Sequence, residues 1–246
     1  MPELMSHSCP PRARPGYLDI LGPVQAVPPT PAQQAMHAPG LAPIYERVWR
    51  PLALRSFFAG PSTAHEERLT LKLLELRPGD AVLDVCCGPG NTTRRLLPAL
   101  GADGLAVGLD AAPSMLGQAV RDTNDQRVTY VRADAEQLPF RDCSFNAITC
   151  HAALYMIERP VTAINEMARV LAPGGRIVLL TSCQRGPLPV RLAATMAMWP
   201  SGIRMFARDE ITSMLAQQRF TDISQDVYGF VQLVGARKPT ESAVAS

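Results

Sequence analysis

The sequence contains no run of about 18 consecutive apolar residues, and no positively charged N-terminal region leads into an apolar stretch of signal length. We therefore expect no membrane-spanning helix, no secretion and a cytoplasmic location. Lysine is nearly absent, since Lys72 and Lys238 account for two of the 24 basic residues. The formal net charge is +2, and no dense basic run would neutralise a row of phosphates. Nucleic acid is therefore not an expected partner.

A cysteine framework is also missing. The six cysteines show neither a paired spacing nor a CxxC motif, so we expect no structural disulfide set, no metal site and a reducing compartment. Hydrophobic residues make up 47% and charged residues 19%, a balance typical of a globular protein. The 246 residues can form one large domain with an extension. Nothing in the sequence indicates an oligomeric state. The cysteines are Cys9, Cys86, Cys87, Cys143, Cys150 and Cys183.

Prolines are abundant at the N-terminus, with nine in the first 40 residues. Each removes an amide donor and restrains the preceding residue. We predict a poorly ordered extension over residues 1–40, in which the apolar segment Tyr17–Leu21 is a candidate anchor. A domain follows over residues 41–246, with a helical cap that starts near Leu41 and an acceptor-covering insert around residues 184–207.

Strands and helices alternate through that domain. A helix with leucines on one face runs from Ala64 to Leu76, and a continuous apolar run from Ala81 to Cys86 indicates a strand covered on both faces. We predict an α/β fold with a doubly wound, mostly parallel, seven-stranded sheet that ends in an antiparallel C-terminal hairpin. The further strands are Gly104 to Leu109, Arg127 to Arg132, Ser144 to Cys150, Gly175 to Thr181, Phe220 to Val227 and Phe230 to Arg237; the further helices are Pro113 to Arg121, Pro160 to Leu171 and Asp209 to Gln218.

Ligands of such sheets bind outside the carboxyl ends of the strands. After the first strand, Gly88 and Gly90 let the backbone approach a ligand, and the free amides of the helix that opens at Asn91 face the same place. Asp84 lies at the mouth of this turn. A purely structural turn from strand to helix is the alternative.

Two further acidic residues follow strand ends. Asp110 lies 20 residues after Gly90, the spacing at which a carboxylate accepts from both ribose hydroxyls. It can also cap the next helix, and the two roles are compatible. After the third strand, Asp134 can accept from an exocyclic amine and the Ala135 amide can donate to a ring nitrogen. Taken alone, Asp134 is equally typical of a turn.

These segments, in this order, resemble the class I S-adenosylmethionine-dependent methyltransferases, in particular the branch of quinone and other small-molecule methyltransferases. The resemblance covers Leu69 to Lys238. It implies a Rossmann-like methyltransferase fold, the activity of EC 2.1.1 and S-adenosylmethionine as the cofactor. The matching segments are Asp84–Gly90, Gly108–Asp110 with Ser114–Leu116, Asp134–Phe140 and Arg169–Arg176.

The same resemblance implies roles for most of the cofactor residues. Cys86 and Asn146 depart from the family pattern, which usually has Gly and Asp at these places. A side chain at position 86 would crowd the cofactor and thereby lower its affinity. By the resemblance, Asp84, Gly88 and Gly90 surround the methionine moiety, Asp110 holds the ribose, Met115 packs on the adenine, Asp134 with Ala135 reads its edge, and the backbone from Cys150 to His151 closes the pocket near the sulfonium. Cys86 and Ala111 complete the cofactor-binding candidates.

Methyl transfer from a sulfonium is an in-line displacement, so the protein has mainly to align the acceptor and exclude water. For a phenol or an activated carbon a general base helps, and His151 is the candidate, with Tyr155 as a positioning group. A structural histidine is the alternative. We expect a small hydrophobic or aromatic acceptor, covered by the segment Ala42–Arg50 and by the methionine-rich segment Gly186–Phe206. Ordinary helix packing explains the latter residues equally well.

Two other functions compete with methyl transfer. The run Gly88 to Thr93 partly imitates the GxGxxG motif of an NAD(P)-dependent oxidoreductase, but it lacks the third glycine, and no Tyr-x-x-x-Lys pair occurs. A noncatalytic protein that keeps the methyltransferase fold but has lost cofactor affinity through Cys86 is the other alternative.

Overall fold

The computed structural model describes residues 4–5, 12–14, 16–22, 30–38 and 60–240. These residues form one nine-stranded sheet with seven α-helices and two short 3-10 helices. The strands are β1 (Arg12–Arg14), β2 (Tyr17–Asp19), β3 (Ala81–Val85), β4 (Leu105–Asp110), β5 (Val128–Arg132), β6 (Phe145–His151), β7 (Leu171–Ser182), β8 (Thr221–Tyr228) and β9 (Val231–Arg237). The α-helices are α1 (Pro31–His37), α2 (Thr63–Leu74), α3 (Asn91–Leu100), α4 (Pro113–Arg121), α5 (Pro160–Val170), α6 (Leu188–Met198) and α7 (Glu210–Gln217), and the 3-10 helices are Leu154–Met156 and Trp199–Ser201.

The strand order is β1-β2-β5-β4-β3-β6-β7-β9-β8. From β2 to β7 the neighbours are parallel, whereas β1, β9 and β8 are antiparallel to theirs. Strand order reverses at β3, which pairs with β4 on one side and β6 on the other. The predicted doubly wound sheet with an antiparallel C-terminal hairpin is therefore confirmed, and its ligand-binding crevice should lie beside the end of β3.

Helices cover both faces of the sheet. Val82 packs in a cluster with Leu74 and Leu96, which belong to α2 and α3. Its neighbour Leu83 packs in a second cluster with Ile164 of α5. Successive side chains of a strand point to opposite faces, so the continuous apolar run of β3 reflects burial on both sides.

The seven predicted strands are β3 to β9, and their observed ends differ from the predicted ones by at most two residues, apart from β7. That strand starts at Leu171 rather than Gly175, because Leu171 pairs with Phe145 across a register shift. The predicted count of seven was too low for the described chain. The two additional strands, β1 and β2, belong to the proline-rich extension.

An ion pair holds the extension against the sheet. Strand β2 pairs in parallel with β5, and Asp19 lies 3.2 Å from the guanidinium of Arg132, with 1% and 4% of their side chains exposed. Helix α1 starts with a reciprocal cap between Thr30 and Gln33. The segment Tyr17–Leu21 thus includes a paired strand. Residues 39–59, including the start of the predicted helical cap, lie outside the described residues.

Candidate cofactor and acceptor site

The turn after β3 has three residues with left-handed backbone, namely Cys86, Gly88 and Gly90, with φ of 57°, 55° and 76°. Glycine is needed at position 90 because a Cβ there would lie 2.2 Å from Oη of Tyr130. At Gly88 a Cβ would meet nothing within 4 Å. The turn therefore leaves open space beside Gly88, next to the first amides of α3, where a ligand can approach the backbone.

Asp84 supports this turn from inside the protein. The side chain is buried, and its two oxygens accept from the hydroxyls of Thr93 at 2.6 Å and Thr149 at 2.9 Å. The carboxylate thereby links β3 to the first turn of α3 and to β6. Sequence reasoning did not identify either threonine as part of the site.

Asp110 lies at the end of β4, beside the glycine turn. The Gly88 amide donates to its Oδ2 at 2.8 Å, and the Ala112 amide donates to its Oδ1 at 2.8 Å. Burial raises the pKa of Asp110, although these two amide bonds oppose the rise. Each carboxylate oxygen can accept a second bond, so the Asp110 side chain is fixed in place and can still accept from a diol.

The extension contributes to the side of the site next to Asp110. Met115, 2% exposed, packs with Ala112 and with Met36 of α1, and the Ser114 hydroxyl donates to the Met36 carbonyl at 3.2 Å. Burial lowers the pKa of His37, and the nearby Asp110 carboxylate opposes that shift. The predicted adenine-packing residue is therefore covered by a segment that the sequence did not connect with the site.

Asp134 follows β5, the strand next to β4. Its Oδ1 accepts from the Glu136 amide at 2.9 Å, and its carbonyl accepts from the Gln137 amide at 3.2 Å, so the residue forms a tight turn. The side chain is exposed, whereas that of Ala135 is buried in the main core. The turn interpretation is correct locally, and the exposed carboxylate remains accessible to an amine.

The side chain of Cys86 is directed towards a second cysteine. Strand β3 pairs with β6 so that Val85 lies opposite Cys150, and a hydrogen bond between the two thiols, together with burial, raises the pKa of Cys86 well above its usual range. The left-handed backbone of Cys86 explains why the resemblance places glycine here. Both cysteines are free and lie at the strand ends next to the turn.

His151 ends β6 and is turned towards α2. Its Nδ1 lies 3.0 Å from Oε1 of Glu66, and its Nε2 lies 3.5 Å from Oγ1 of Thr70. Only 5% of the His151 side chain and 4% of the Glu66 side chain are exposed. A carboxylate that accepts from Nδ1–H orients the ring and leaves the lone pair on Nε2, which faces the Thr70 hydroxyl.

A cavity of about 10 Å³ adjoins this pair between α2 and α3, large enough for about one water molecule. Sequence reasoning missed Glu66. The available signal was a carboxylate and Thr70, four residues apart, on the helix face that continues to the buried Leu74. The cavity is lined by Glu66, Glu67, Thr70, Leu71, Thr92, Arg95, Leu96 and His151.

Tyr155 lies in the 3-10 helix after β6 and is half-buried among apolar residues of both clusters. The Arg204 amide donates to its carbonyl at 2.9 Å, which ties the segment after α6 to this helix. The structure therefore places Tyr155 four residues after His151 and in contact with the predicted insert. Among the described residues, no group of three or more His, Cys, Asp or Glu side chains could hold a metal ion.

Known proteins match part of this chain. A family model described as a methyltransferase domain matches residues 82–175. The demethylmenaquinone methyltransferase of Bacillus mycoides is 33% identical over 118 residues, which is 47% of this chain and 50% of that protein. The chain thus spans about half the length of the curated relatives it matches.

Two solved structures share the fold at low sequence identity. An S-adenosylmethionine-dependent methyltransferase from Mesorhizobium loti has a TM-score of 0.59 at 19% identity and covers 71% of this chain and 96% of its own. The [4+2]-cyclase SpnF has a TM-score of 0.64 at 20% identity and covers 87% of this chain and 98% of its own. No helix among the described residues is long and apolar enough to cross a membrane.

The matched segment contains the glycine turn, Asp110, the turn at Asp134 and the end of β6. All of these lie at the carboxyl ends of the parallel strands, where ligands of such sheets bind. The fold, the order of these elements and the family model agree. Residues 82–175 are therefore similar to a methyltransferase domain, and the described residues share the fold of a solved methyltransferase.

Proposed function

We propose that this protein transfers a methyl group from S-adenosylmethionine to a small hydrophobic or aromatic acceptor. The observation that carries the proposal is the open space beside Gly88 next to an Asp110 carboxylate whose two oxygens are each held by a backbone amide. The cofactor supplies a methyl group activated by its positive sulfur. The protein has to bind it, align the acceptor and exclude water.

The cofactor side of the site follows the carboxyl edge of the sheet from β3 to β5. Gly88 and Gly90 would face the methionine moiety, and Asp110 would accept from the ribose hydroxyls. The remaining contacts we propose are Asp84 and Cys86 below the turn, Ala111 beside the ribose, Met115 against the adenine, Asp134 and Ala135 at its edge, and Cys150 near the sulfur.

On the acceptor side we assign the proton to the pair of His151 and Glu66. As the acceptor oxygen or carbon gains its methyl group, its proton passes to Nε2 of His151. The Glu66 carboxylate, 3.0 Å from Nδ1, then stabilises the resulting imidazolium. Tyr155 would position the acceptor from the following 3-10 helix.

The acceptor class is supported by the relatives and by the insert. The curated relatives are named for methylation of demethylmenaquinone, which makes a quinone-type aromatic acceptor the first class to test. The insert 184–207 carries no acidic residue, and its Met205 and Phe206 are buried, so this end of the insert suits a hydrophobic acceptor. The five described cysteines are free thiols, which supports a reducing, cytoplasmic location.

One contact speaks against the oxidoreductase alternative. Thr93 stands where a GxGxxG motif has its third glycine, which lets the helix pack closely on the strand. Here its hydroxyl donates to Asp84 at 2.6 Å instead. The shared fold of SpnF, which is named a cyclase, shows that this fold alone does not fix the reaction.

Calorimetry with S-adenosylmethionine, S-adenosylhomocysteine and NAD tests the proposal. We expect both adenosyl compounds to bind and NAD not to bind. Binding of NAD alone would overturn the proposal, and binding of none of the three would favour a noncatalytic protein. The acceptor class is then tested with methyl-labelled cofactor and quinol-type, phenolic and metabolite-extract acceptors, with label expected first in the quinol-type products.

A further inference from the structure

Helix α6 exposes an apolar stripe. None of its eleven residues is buried. Leu188, Leu192, Met196 and the following Trp199 recur at intervals of four, four and three residues, so they share one face. Their exposed fractions are 63%, 54%, 74% and 79%. Single exposed apolar residues are common, but a continuous stripe of this kind marks a contact surface.

The charge around this stripe has one sign. Residues 183–208 contain four arginines and no Asp or Glu. Arg204 is paired with Glu210, while Arg185 and Arg208 are exposed at the two ends of the segment. Asp209 and Glu210 begin the next helix. The helix is therefore an apolar surface flanked by positive charge.

We propose that α6 and Trp199 form a docking surface for an anionic lipid bilayer. The stripe would enter the boundary between headgroups and acyl chains, and the flanking arginines would lie near the lipid phosphates. The absence of acidic residues from the segment fits an anionic partner. An exposed helix with an apolar stripe and a tryptophan at its end matches the amphipathic elements that lie in a membrane interface.

The surface lies on the same side of the molecule as the candidate active site. Helix α6 follows the carboxyl end of β7, and the segment after it is tied to the 3-10 helix after β6 by the bond between Arg204 and Tyr155. Docking would therefore bring the acceptor side close to the lipid, where a hydrophobic acceptor accumulates. This last step rests on the proposed function, whereas the docking itself does not.

Vesicle sedimentation of the full chain tests the proposal. Vesicles of phosphatidylcholine alone are compared with vesicles that also contain phosphatidylglycerol. We expect binding to the anionic vesicles, weakening with salt. We expect the triple variant Leu192→Ser, Met196→Ser, Trp199→Ser to bind them at least tenfold more weakly. The matched control is Val161→Ser, which removes a 46% exposed side chain from α5 and should bind like the wild type.

All variants should keep the wild-type unfolding midpoint and S-adenosylmethionine affinity, since the replaced side chains are exposed. Equal binding by the triple variant and the wild type, or no binding of the wild type to either vesicle, would overturn docking. Sedimentation velocity without lipid tests whether a second copy of this chain binds the stripe instead. A dimer formed by the wild type but not by the triple variant would assign the stripe to that copy and overturn docking to lipid. Calorimetry without vesicles reports on the proposed function separately.

Discussion

The Glu66 carboxylate lies 3.0 Å from Nδ1 of His151, although the two residues are 85 positions apart in the chain. Both side chains are almost completely buried, so the carboxylate acts on the imidazole with little screening by water. A purely structural pair would hold α2 against β6. A catalytic pair would in addition take up the proton of the acceptor, so its loss would lower kcat for methyl transfer.

Glu66→Gln tests the role of the pair. Glutamine keeps the shape and can still bond to the ring, but it cannot stabilise the imidazolium. We expect kcat for methyl transfer to fall about 10- to 100-fold, less than the full contribution of a general base. The KM for S-adenosylmethionine should not change.

His151→Asn is the companion variant, and the double variant should be no slower than His151→Asn alone, since Glu66 acts through the imidazole. Steady-state kinetics on all three variants, with unfolding midpoints as the fold control, decides between the two roles. If Glu66→Gln lowered only the unfolding midpoint and left kcat unchanged, the pair would be structural.

Gly88→Ala should separate cofactor binding from folding. The residue has φ of 55°, and its added Cβ would enter open space at the proposed methionine site. Gly79→Ala is a matched control, because Gly79 has φ of 90° and equally free surroundings in a turn before β3. Both variants should lose about 1–2 kcal/mol of unfolding free energy from the left-handed backbone.

Calorimetry should then show a tenfold or greater loss of S-adenosylmethionine affinity, about 1.4 kcal/mol, for Gly88→Ala alone. Wild-type affinity in Gly88→Ala would mean that the open space is not occupied by the cofactor. Equal losses in both variants would show that the effect is general strain rather than a contact.

The elements that the sequence predicted correctly are those with a local signal. Strand β3 is a continuous apolar run, and the leucines of α2 share one face, so their periodicity is visible within a few residues. The position of Asp110 at the end of β4 was predictable because its spacing from Gly90 is set by one strand–helix–strand unit. Each of these signals depends on neighbours along the chain.

The features that the sequence did not show depend on contacts between distant positions. Strand β2 has three residues, too few for a period, and its place beside β5 involves Arg132, 113 positions later. Glu66 had a polar position on an apolar face but no visible partner. For the segment Gly186–Phe206, the sequence showed many apolar residues, but composition does not tell whether such residues line a site or face outward.

Cofactor affinity should depend on the protonation of Asp110. Burial raises the pKa of this carboxyl, and only the ionised form accepts from two hydroxyls at once. On acidification, S-adenosylmethionine affinity should therefore start to fall at a higher pH than for an ordinary aspartate, whose pKa is about 3.9. Asp110→Asn should bind at least tenfold more weakly at neutral pH and lose this acid dependence. Calorimetry at several pH values provides the measurement, and an unchanged acid limb in the variant would assign it to another group.

Breaking the buried pair of Asp19 and Arg132 should destabilise the whole domain. Asp19→Asn leaves the Arg132 guanidinium buried without its counter-charge, which costs about 3–5 kcal/mol of unfolding free energy. Replacing both partners, as Asp19→Leu with Arg132→Met, should recover part of that loss because no uncompensated charge remains.

The control is Asp222→Asn. The Asp222 side chain is 61% exposed and lies 3.2 Å from Arg237, so its replacement should cost less than about 1 kcal/mol of unfolding free energy. Urea unfolding measures all three variants. Arg132 also donates to the Ala111 carbonyl at 3.1 Å, next to Asp110, so the double variant should bind S-adenosylmethionine more weakly than Asp19→Asn does. If Asp19→Asn and Asp222→Asn had equal costs, the extension would not be fastened through this pair.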